Sequence, residues 1–201
     1  MIKNPEGFRY DDSSHRYYIG DRPIVGITEA LSICGITQDY SRLNRSVLAN
    51  AANRGTAVHL LTQLLDENDL GEYDLNQEGY LKAYEAFKKE WEFVPEVIER
   101  VMAHPFYFFA GRPDRGGLIR GKKAVVEIKT TKEIDDAVEL QVAGQQILLE
   151  HYGYGPILLR LAVALRDDGT YVVRTFKDIQ AKTLFLSAVA IASWRINHKR
   201  G

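Results

Sequence analysis

Short runs of alternating apolar and polar residues open the chain. The segment FRYDDSSHRYYIGDRPIVGIT predicts two or three short strands, with turns at DDSS and GD. A short helix follows, which Thr28 is placed to cap. Helical spacing resumes over residues 41–67, with a break expected at Arg54 and Gly55. The first third of the chain is therefore expected to hold strands followed by two helices.

The rest of the chain alternates between helical and strand patterns. Residues 76–93 predict an amphipathic helix, and its aromatic stripe, expected to lie in the core, consists of Tyr80, Tyr84, Phe87 and Trp91. Strand patterns follow in VIERVMAH, FYFFAG, DRGGLI and KAVVEIK. A helix over residues 135–152 precedes the apolar run ILLRLAVAL, which is typical of a strand covered on both faces. The strand YVVRTF and a helix over residues 177–197 complete the pattern.

This order of elements predicts an α/β fold, with a central mixed β-sheet flanked by helices in the order αβββαβ. Short links imply antiparallel strand pairs, whereas the helical connection over residues 129–157 permits a parallel pair. A chain of 201 residues suits one domain, and no stretch rich in Pro, Gly or Ser divides it. We expect residues 1–53 to form an N-terminal β-hairpin and helical extension, and residues 54–201 to form the core.

Composition narrows the functional classes. No apolar run approaches the roughly 20 residues that span a bilayer, and the N-terminus has no apolar signal core. These features predict a cytoplasmic protein with no membrane partner. Cys34 is the only cysteine, which excludes a disulfide framework and an iron–sulfur cluster held by four thiolates. Cys34 itself is expected to pack in the core.

Charge is unevenly distributed, although the net charge is only −1. Residues 40–63 contain three arginines and no acid, and residues 66–99 contain eleven acids and three lysines. Residues 112–132 contain seven basic residues and two acids, Asp114 and Glu127. The first and third segments would attract a polyanion and the second would repel it. The alternative interpretation is that all three are solvated faces of ordinary elements.

The two acids of the third segment belong to a chemical pattern. Glu127 and Lys129 are two residues apart on a predicted strand, so their side chains project from the same face. Asp114 lies at the mouth of the preceding hairpin, where strand pairing would bring it close to Glu127. Two carboxylates and a backbone carbonyl, assigned to Ile128, suit Mg²⁺. Lys129 is then expected to stabilise developing charge or to hold an attacking water. The pattern predicts metal-assisted cleavage of a phosphodiester bond.

Three polar residues on predicted helices extend this constellation. His59 lies on the helical stripe opposite the apolar one, so it is either an exposed histidine without a role or an additional metal ligand that favours Mn²⁺ as well as Mg²⁺. Gln141 and Gln145 share one helical face. They are either solvated glutamines or amides that bind phosphate or base edges, or that orient Lys129.

These residues resemble the PD-(D/E)XK nuclease superfamily, in its RecB-like and Cas4-like branch of exonucleases. The matching segments, in the order of that family, are RGTAVH with His59, VIERV with Glu99, AGRPD with Asp114, VVEIKTT with Glu127 and Lys129, and LQVAGQQ with Gln141. The N-terminal strands resemble those of phage-encoded members, which implies the host cytoplasm as the location. The chain departs from the family where Gln145 replaces a tyrosine, and in lacking the four cysteines of the members that carry an iron–sulfur cluster.

The resemblance implies a restriction-endonuclease-like core and a set of roles. His59, Asp114 and Glu127 would bind Mg²⁺ or Mn²⁺, Lys129 would be catalytic, and Glu99 would assist with metal or water. Gln141 completes the catalytic set. The residues expected to contact DNA are Arg42, Arg45, Arg54, Arg112, Arg115, Lys132 and Gln145.

The leading hypothesis is a metal-dependent deoxyribonuclease, an exonuclease that acts on DNA ends in recombination, repair or replication, with a protein of those processes as a possible partner. Three alternatives remain open. One is a DNA-binding or assembly subunit that keeps the fold with little activity, and another is a structure-specific endonuclease. The third is an unrelated metal hydrolase for a small phosphoester.

Overall fold

The computed structural model describes residues 3–37 and 44–198, which form five α-helices and ten β-strands. The helices are α1 (Ile27–Ile33), α2 (Arg45–Asp66), α3 (Glu78–Trp91), α4 (Ala137–Leu149) and α5 (Ala181–His198). The strands are β1 (Phe8–Asp11), β2 (Arg16–Ile19), β3 (Arg22–Gly26), β4 (Phe93–Ile98), β5 (Met102–His104), β6 (Phe109–Gly111), β7 (Arg115–Ile119), β8 (Lys122–Lys129), β9 (Leu159–Leu165) and β10 (Tyr171–Phe176). The predicted α/β class is confirmed.

The central sheet has the strand order β10-β9-β8-β7-β4. Strands β8 and β9 are parallel, because α4 carries the chain across the sheet between them, and the other pairs are antiparallel. One face of β8 packs through Val125 into a core shared with α4 and α5. The opposite face packs through Val126 and Ile128 into a core shared with α2 and α3. The mixed sheet flanked by helices is therefore confirmed.

A second sheet departs from the predicted strand pattern. Its order is β1-β2-β3-β6-β5, with β3 and β6 parallel. The segment VIERVMAH is divided into β4 and β5, and FYFFAG contributes only its end to β6. The division falls at Glu99, whose φ of 43° lies in the left-handed region. The β5–β6 hairpin thus joins the N-terminal strands instead of the central sheet.

The helices refine several other expectations. The break expected at Gly55 is wrong, since α2 continues through it, and α1 is capped at Gly26 instead of Thr28. The expected start of helical spacing near Ser41 lies outside the described residues. The α3 stripe is in the core, as expected: Tyr80, Tyr84 and Phe87 are buried and Trp91 is half-buried.

Cys34 is half-buried and packs against the core that α4 and α5 share, as its prediction required. None of the helices in residues 3–37 and 44–198 combines the length and the apolar character needed to cross a bilayer.

A buried arginine joins α2 to the central sheet. The Arg115 guanidinium is 0% exposed and donates to the Asp66 carboxylate at 2.7 Å and to the Thr62 hydroxyl at 3.1 Å. It also donates to the Asp114 backbone carbonyl at 2.6 Å and to the Glu99 carboxylate at 3.2 Å. The expectation that Arg115 contacts DNA is therefore wrong, because its charge is enclosed by acids inside the protein.

Asp66 is the counter-charge in this cluster. Its carboxylate is also 0% exposed and accepts hydrogen bonds from the Tyr84 hydroxyl and the Lys88 ammonium, each at 2.6 Å. Asp66 therefore connects α2, α3 and β7 through charged hydrogen bonds, and these fix how α2 crosses the sheet.

Replacing Asp66 by Asn should lower the free energy of unfolding by about 3–5 kcal/mol, because the buried Arg115 charge would lose its closest counter-charge. Urea denaturation followed by circular dichroism measures the change. The control is Glu78→Gln, which removes the same charge from an exposed pair with Lys82 and should leave the unfolding midpoint almost unchanged. Indistinguishable midpoints for the two variants would contradict the role given to Asp66.

Candidate metal centre

The register of the β7–β8 hairpin brings two carboxylates together. Arg115 pairs with Val126. Asp114 directly precedes Arg115 and Glu127 directly follows Val126, so the two acids are neighbours at the open end of the hairpin. The Asp114 carboxylate accepts a hydrogen bond from the Ile128 backbone N–H at 2.7 Å, which fixes it against β8. Both carboxyl side chains are buried. The expected proximity of these acids is therefore present.

Glu127 is held by one ammonium and two amides. Lys129 Nζ lies 2.7 Å from Glu127 Oε1 and 3.1 Å from Gln141 Oε1. The Gln141 amide donates to Oε1 of Glu127, and the Gln145 amide donates to Oε2, each at 2.5 Å. Alternation along β8 and the four-residue spacing on α4 place these four groups on facing surfaces.

His59 enters the same site from α2. Its Nδ1 lies 3.1 Å from Glu99 Oε1 and 3.7 Å from Asp114 Oδ1, and its Nε2 lies 3.2 Å from the Ile128 carbonyl oxygen. All of these partners are acceptors, so the imidazole donates from both nitrogens only when it is protonated. The structure thus places His59 facing the acids.

The surroundings of Asp114 and Glu127 shift the pKa values of these two carboxyl groups in opposite directions. Burial and the neighbouring Glu127 charge raise the pKa of Asp114. Burial opposes ionisation of Glu127 as well, but the Lys129 ammonium, the His59 charge and the Gln145 hydrogen bond together outweigh it and lower the pKa of that carboxyl. The Asp114 charge, acting against burial and with the help of Glu99, raises the pKa of His59 to about 9. Asp114 is therefore an acid whose charge is under-compensated by the protein.

The donor set fits a hard divalent cation. One ligand atom each from His59, Glu99 and Asp114 lies within 4.8 Å of the others. Carboxylate oxygens suit Mg²⁺, and an imidazole nitrogen adds Mn²⁺ to the ions that fit. A dication among these groups would supply the positive charge that Asp114 lacks. Glu99 belongs to this close group, whereas the sequence assigned it only an assisting role.

The acids line a cleft of about 870 Å³. Its lining comes from α2, from the β1–β2 turn with the start of β2, and from α1 and α4. From the predicted catalytic and metal-binding set, the residues lining the cleft are His59, Glu99, Asp114, Glu127 and Gln141. Lys129 contacts two of them through its ammonium.

The residues predicted to contact DNA are more scattered. Arg112 lines the cleft, with a side chain 47% exposed and its Nε 3.2 Å from Glu99 Oε2. Arg45 and Arg54 are exposed on α2 outside the cleft lining, and Lys132 is exposed after β8. Arg42 lies outside the described residues.

Gln145 also differs from its expectation as a DNA contact. The residue is 2% exposed and its amide binds Glu127, so it is placed to orient an acid.

Sequence reasoning missed two groups of residues. Thr62 and Asp66, which bind Arg115, lie three and seven residues after His59 and so share its helical face; that spacing was the available signal. The second group is Ser14 to Tyr17, which lines the same cleft as α2. Nothing in the local pattern indicates that this turn reaches the acids.

Comparisons with known proteins give a structural likeness. No protein-family model matches the chain, and no curated protein matches its sequence. LHK-Exo in complex with dAMP is similar over 88% of this chain and 89% of its own, with a TM-score of 0.50 and 17% identity. LHK-Exo is described as an alkaline exonuclease from Laribacter hongkongensis. A candidate exonuclease from Eubacterium rectale is similar over 88% of this chain and 74% of its own, with a TM-score of 0.50 and 11% identity. The chain therefore has an α/β fold found in nuclease structures.

Proposed function

We propose that this chain is a metal-dependent deoxyribonuclease of the PD-(D/E)XK type, and that it acts as an exonuclease on DNA ends. The observation that carries the proposal is that Asp114 and Glu127 line one cleft and that the Lys129 ammonium lies 2.7 Å from Glu127. The likeness to exonuclease structures supports it, including one that is a complex with dAMP, a deoxynucleotide.

The ligands for Mg²⁺ or Mn²⁺ would be His59, Asp114, Glu127 and the Ile128 carbonyl, together with Glu99. A bound ion of this kind polarises a phosphate and acidifies a water. Glu127 keeps capacity for such a contact: a carboxylate offers about four lone-pair sites, and three hydrogen bonds from the protein occupy its oxygens.

Lys129 would act on the attacking water or on the charge that develops at phosphorus. Its ammonium is oriented by Glu127 and Gln141, at 2.7 and 3.1 Å, so little reorganisation is needed when the phosphate arrives. Gln141 binds both Lys129 and Glu127, and its role would be to keep the two groups in register.

Contacts to the DNA backbone would come from cations near the cleft and on α2. Arg112 reaches into the cleft itself, and Arg45, Arg54 and Lys132 are exposed to a polyanion approaching from solvent. Recombination, repair or replication would supply the DNA ends and the partner protein.

Wild-type protein with Mg²⁺ or Mn²⁺ should degrade linear DNA and leave covalently closed circular DNA intact. Lys129→Ala should lower the rate of DNA cleavage by roughly 10²–10⁴-fold, the usual contribution of a general acid or base. The matched control is Lys122→Ala, which removes the same charge from the exposed start of β8 and should keep the rate of wild type. Gel analysis of both DNA forms measures these outcomes. Cutting of the circular DNA would contradict the exonuclease assignment and favour an endonuclease. If the wild-type protein were inactive with both metals, the DNA-binding subunit would be favoured.

The apparent affinity for metal should fall as the pH is lowered. The imidazole of His59 binds a metal only when it is neutral, and its pKa is raised to about 9. Below that pH a proton competes with the metal, so half-maximal activity should need roughly tenfold more metal per pH unit for one displaced proton. Metal titrations at several pH values measure this. His59→Gln should weaken metal binding and flatten the dependence; an unchanged slope in that variant would contradict His59 as a ligand.

A further inference from the structure

The turn between β1 and β2 lines the same cleft as the buried acids. Ser14, His15, Arg16 and Tyr17 line the cleft together with His59 and the acids. We call residues 14–17 the hairpin wall. These residues come from the N-terminal strands, more than forty positions before His59 in the sequence, and nothing in the proposed chemistry yet uses them.

The hairpin wall is built to keep its shape. Asp11 accepts hydrogen bonds from the Ser13 N–H at 3.1 Å and from the Ser13 and Ser14 hydroxyls at 2.7 Å each, which close the turn. Tyr10 stacks on Tyr17 with ring centroids 4.9 Å apart. A turn fixed in this way can present side chains to a ligand at small entropic cost.

The base of the wall is seated on α1. A Cβ at Gly26 would lie 3.1 Å from the Tyr17 ring, so the absence of a side chain at this N-cap lets the ring approach closely. The tyrosine thereby connects the hairpin to the helix that also lines the cleft.

The charge of the wall complements a nucleic-acid backbone. The floor carries the carboxylates of Glu99, Asp114 and Glu127, which repel phosphate unless a metal is present. Arg16 is exposed and lines the same cleft as these acids. A guanidinium there can bind a phosphate next to the one being cleaved.

The size of the cleft bears on what can enter it. Gly55 and Thr56 of α2 also line the cleft, and Gly55 contributes no side chain there. The volume of about 870 Å³ is that of a pocket for a ligand of modest size. It suits a few nucleotides of one strand.

We propose that the hairpin wall is a clamp for a single nucleic-acid strand and that Arg16 binds a backbone phosphate beside the scissile one. The proposal rests on the proposed nuclease function for its substrate, but it concerns residues outside the metal centre. Arg16 is a binding residue in this scheme and takes no part in proton transfer.

The test measures binding in a Lys129→Ala background, so that cleavage does not consume the probe. Fluorescence anisotropy with a labelled single-stranded oligonucleotide, with Mg²⁺ present, gives the Kd at several salt concentrations. Arg16→Gln should raise the Kd by roughly tenfold and lower the salt slope by about 0.7, as expected for one phosphate contact on a single strand. The matched control is Arg9→Gln on the same hairpin, since Arg9 stacks on Tyr18 at 3.8 Å and does not line the cleft; its Kd should not change.

Equal Kd values for Arg16→Gln and Arg9→Gln would overturn the clamp, as would a probe that does not bind at all. A blunt duplex of the same sequence should not share the loss caused by Arg16→Gln, and an equal loss on it would overturn the single-strand assignment. If wild-type protein cleaves nothing while the dependence of binding on Arg16 persists, the clamp is supported and only the nuclease proposal fails.

With active protein, Arg16→Gln should raise KM and leave kcat within about twofold, because a contact shared by ground and transition states acts on binding alone.

Discussion

The structure depends on compensating a cluster of buried carboxylates. Asp66 at the end of α2 and Glu99, Asp114 and Glu127 near the central sheet have side chains at most 8% exposed. Each buried charge costs several kcal/mol unless it is paired and hydrogen-bonded. The compensating groups are Arg115, Lys88, His59, Lys129, Arg112, Gln141 and Gln145. The relative positions of α2, α4 and the β7–β8 hairpin are therefore constrained by charge as well as by apolar packing.

This compensation divides the acids into two sets. Asp66 is paired with the Arg115 and Lys88 cations, accepts from Tyr84 and does not line the cleft, so it acts as a support for the fold. Asp114 accepts from the Ile128 N–H and lies 3.7 Å from His59, and its pKa is raised as a result of burial and of Glu127. The acid with incomplete compensation lies in the cleft, where a cation can reach it. Within one cluster of acids, Asp66 therefore stabilises the fold and Asp114 is available to a cation.

Much of the fold and part of the site were predictable because they are local in sequence. The two-residue period of β8 puts Glu127 and Lys129 on one face, and the four-residue spacing of α4 aligns Gln141 with Gln145. The apolar run of β9 indicated a strand covered on both faces, which its buried residues confirm. Split strands were beyond such reasoning, since the left-handed backbone conformation at Glu99 leaves no periodic signal.

The sequence by itself determined the α/β class and the candidate acids and lysine, and it permitted a parallel pair across α4, because periodicity and residue chemistry act over a few neighbouring positions. Only the tertiary structure decided that Arg115 lies inside the protein, paired with Asp66 across 49 positions of sequence. The tertiary structure likewise decided that the β1–β2 turn lines the same cleft as the acids. Whether a charged side chain faces solvent or the interior depends on partners brought together by the whole fold, and no local pattern contains that information.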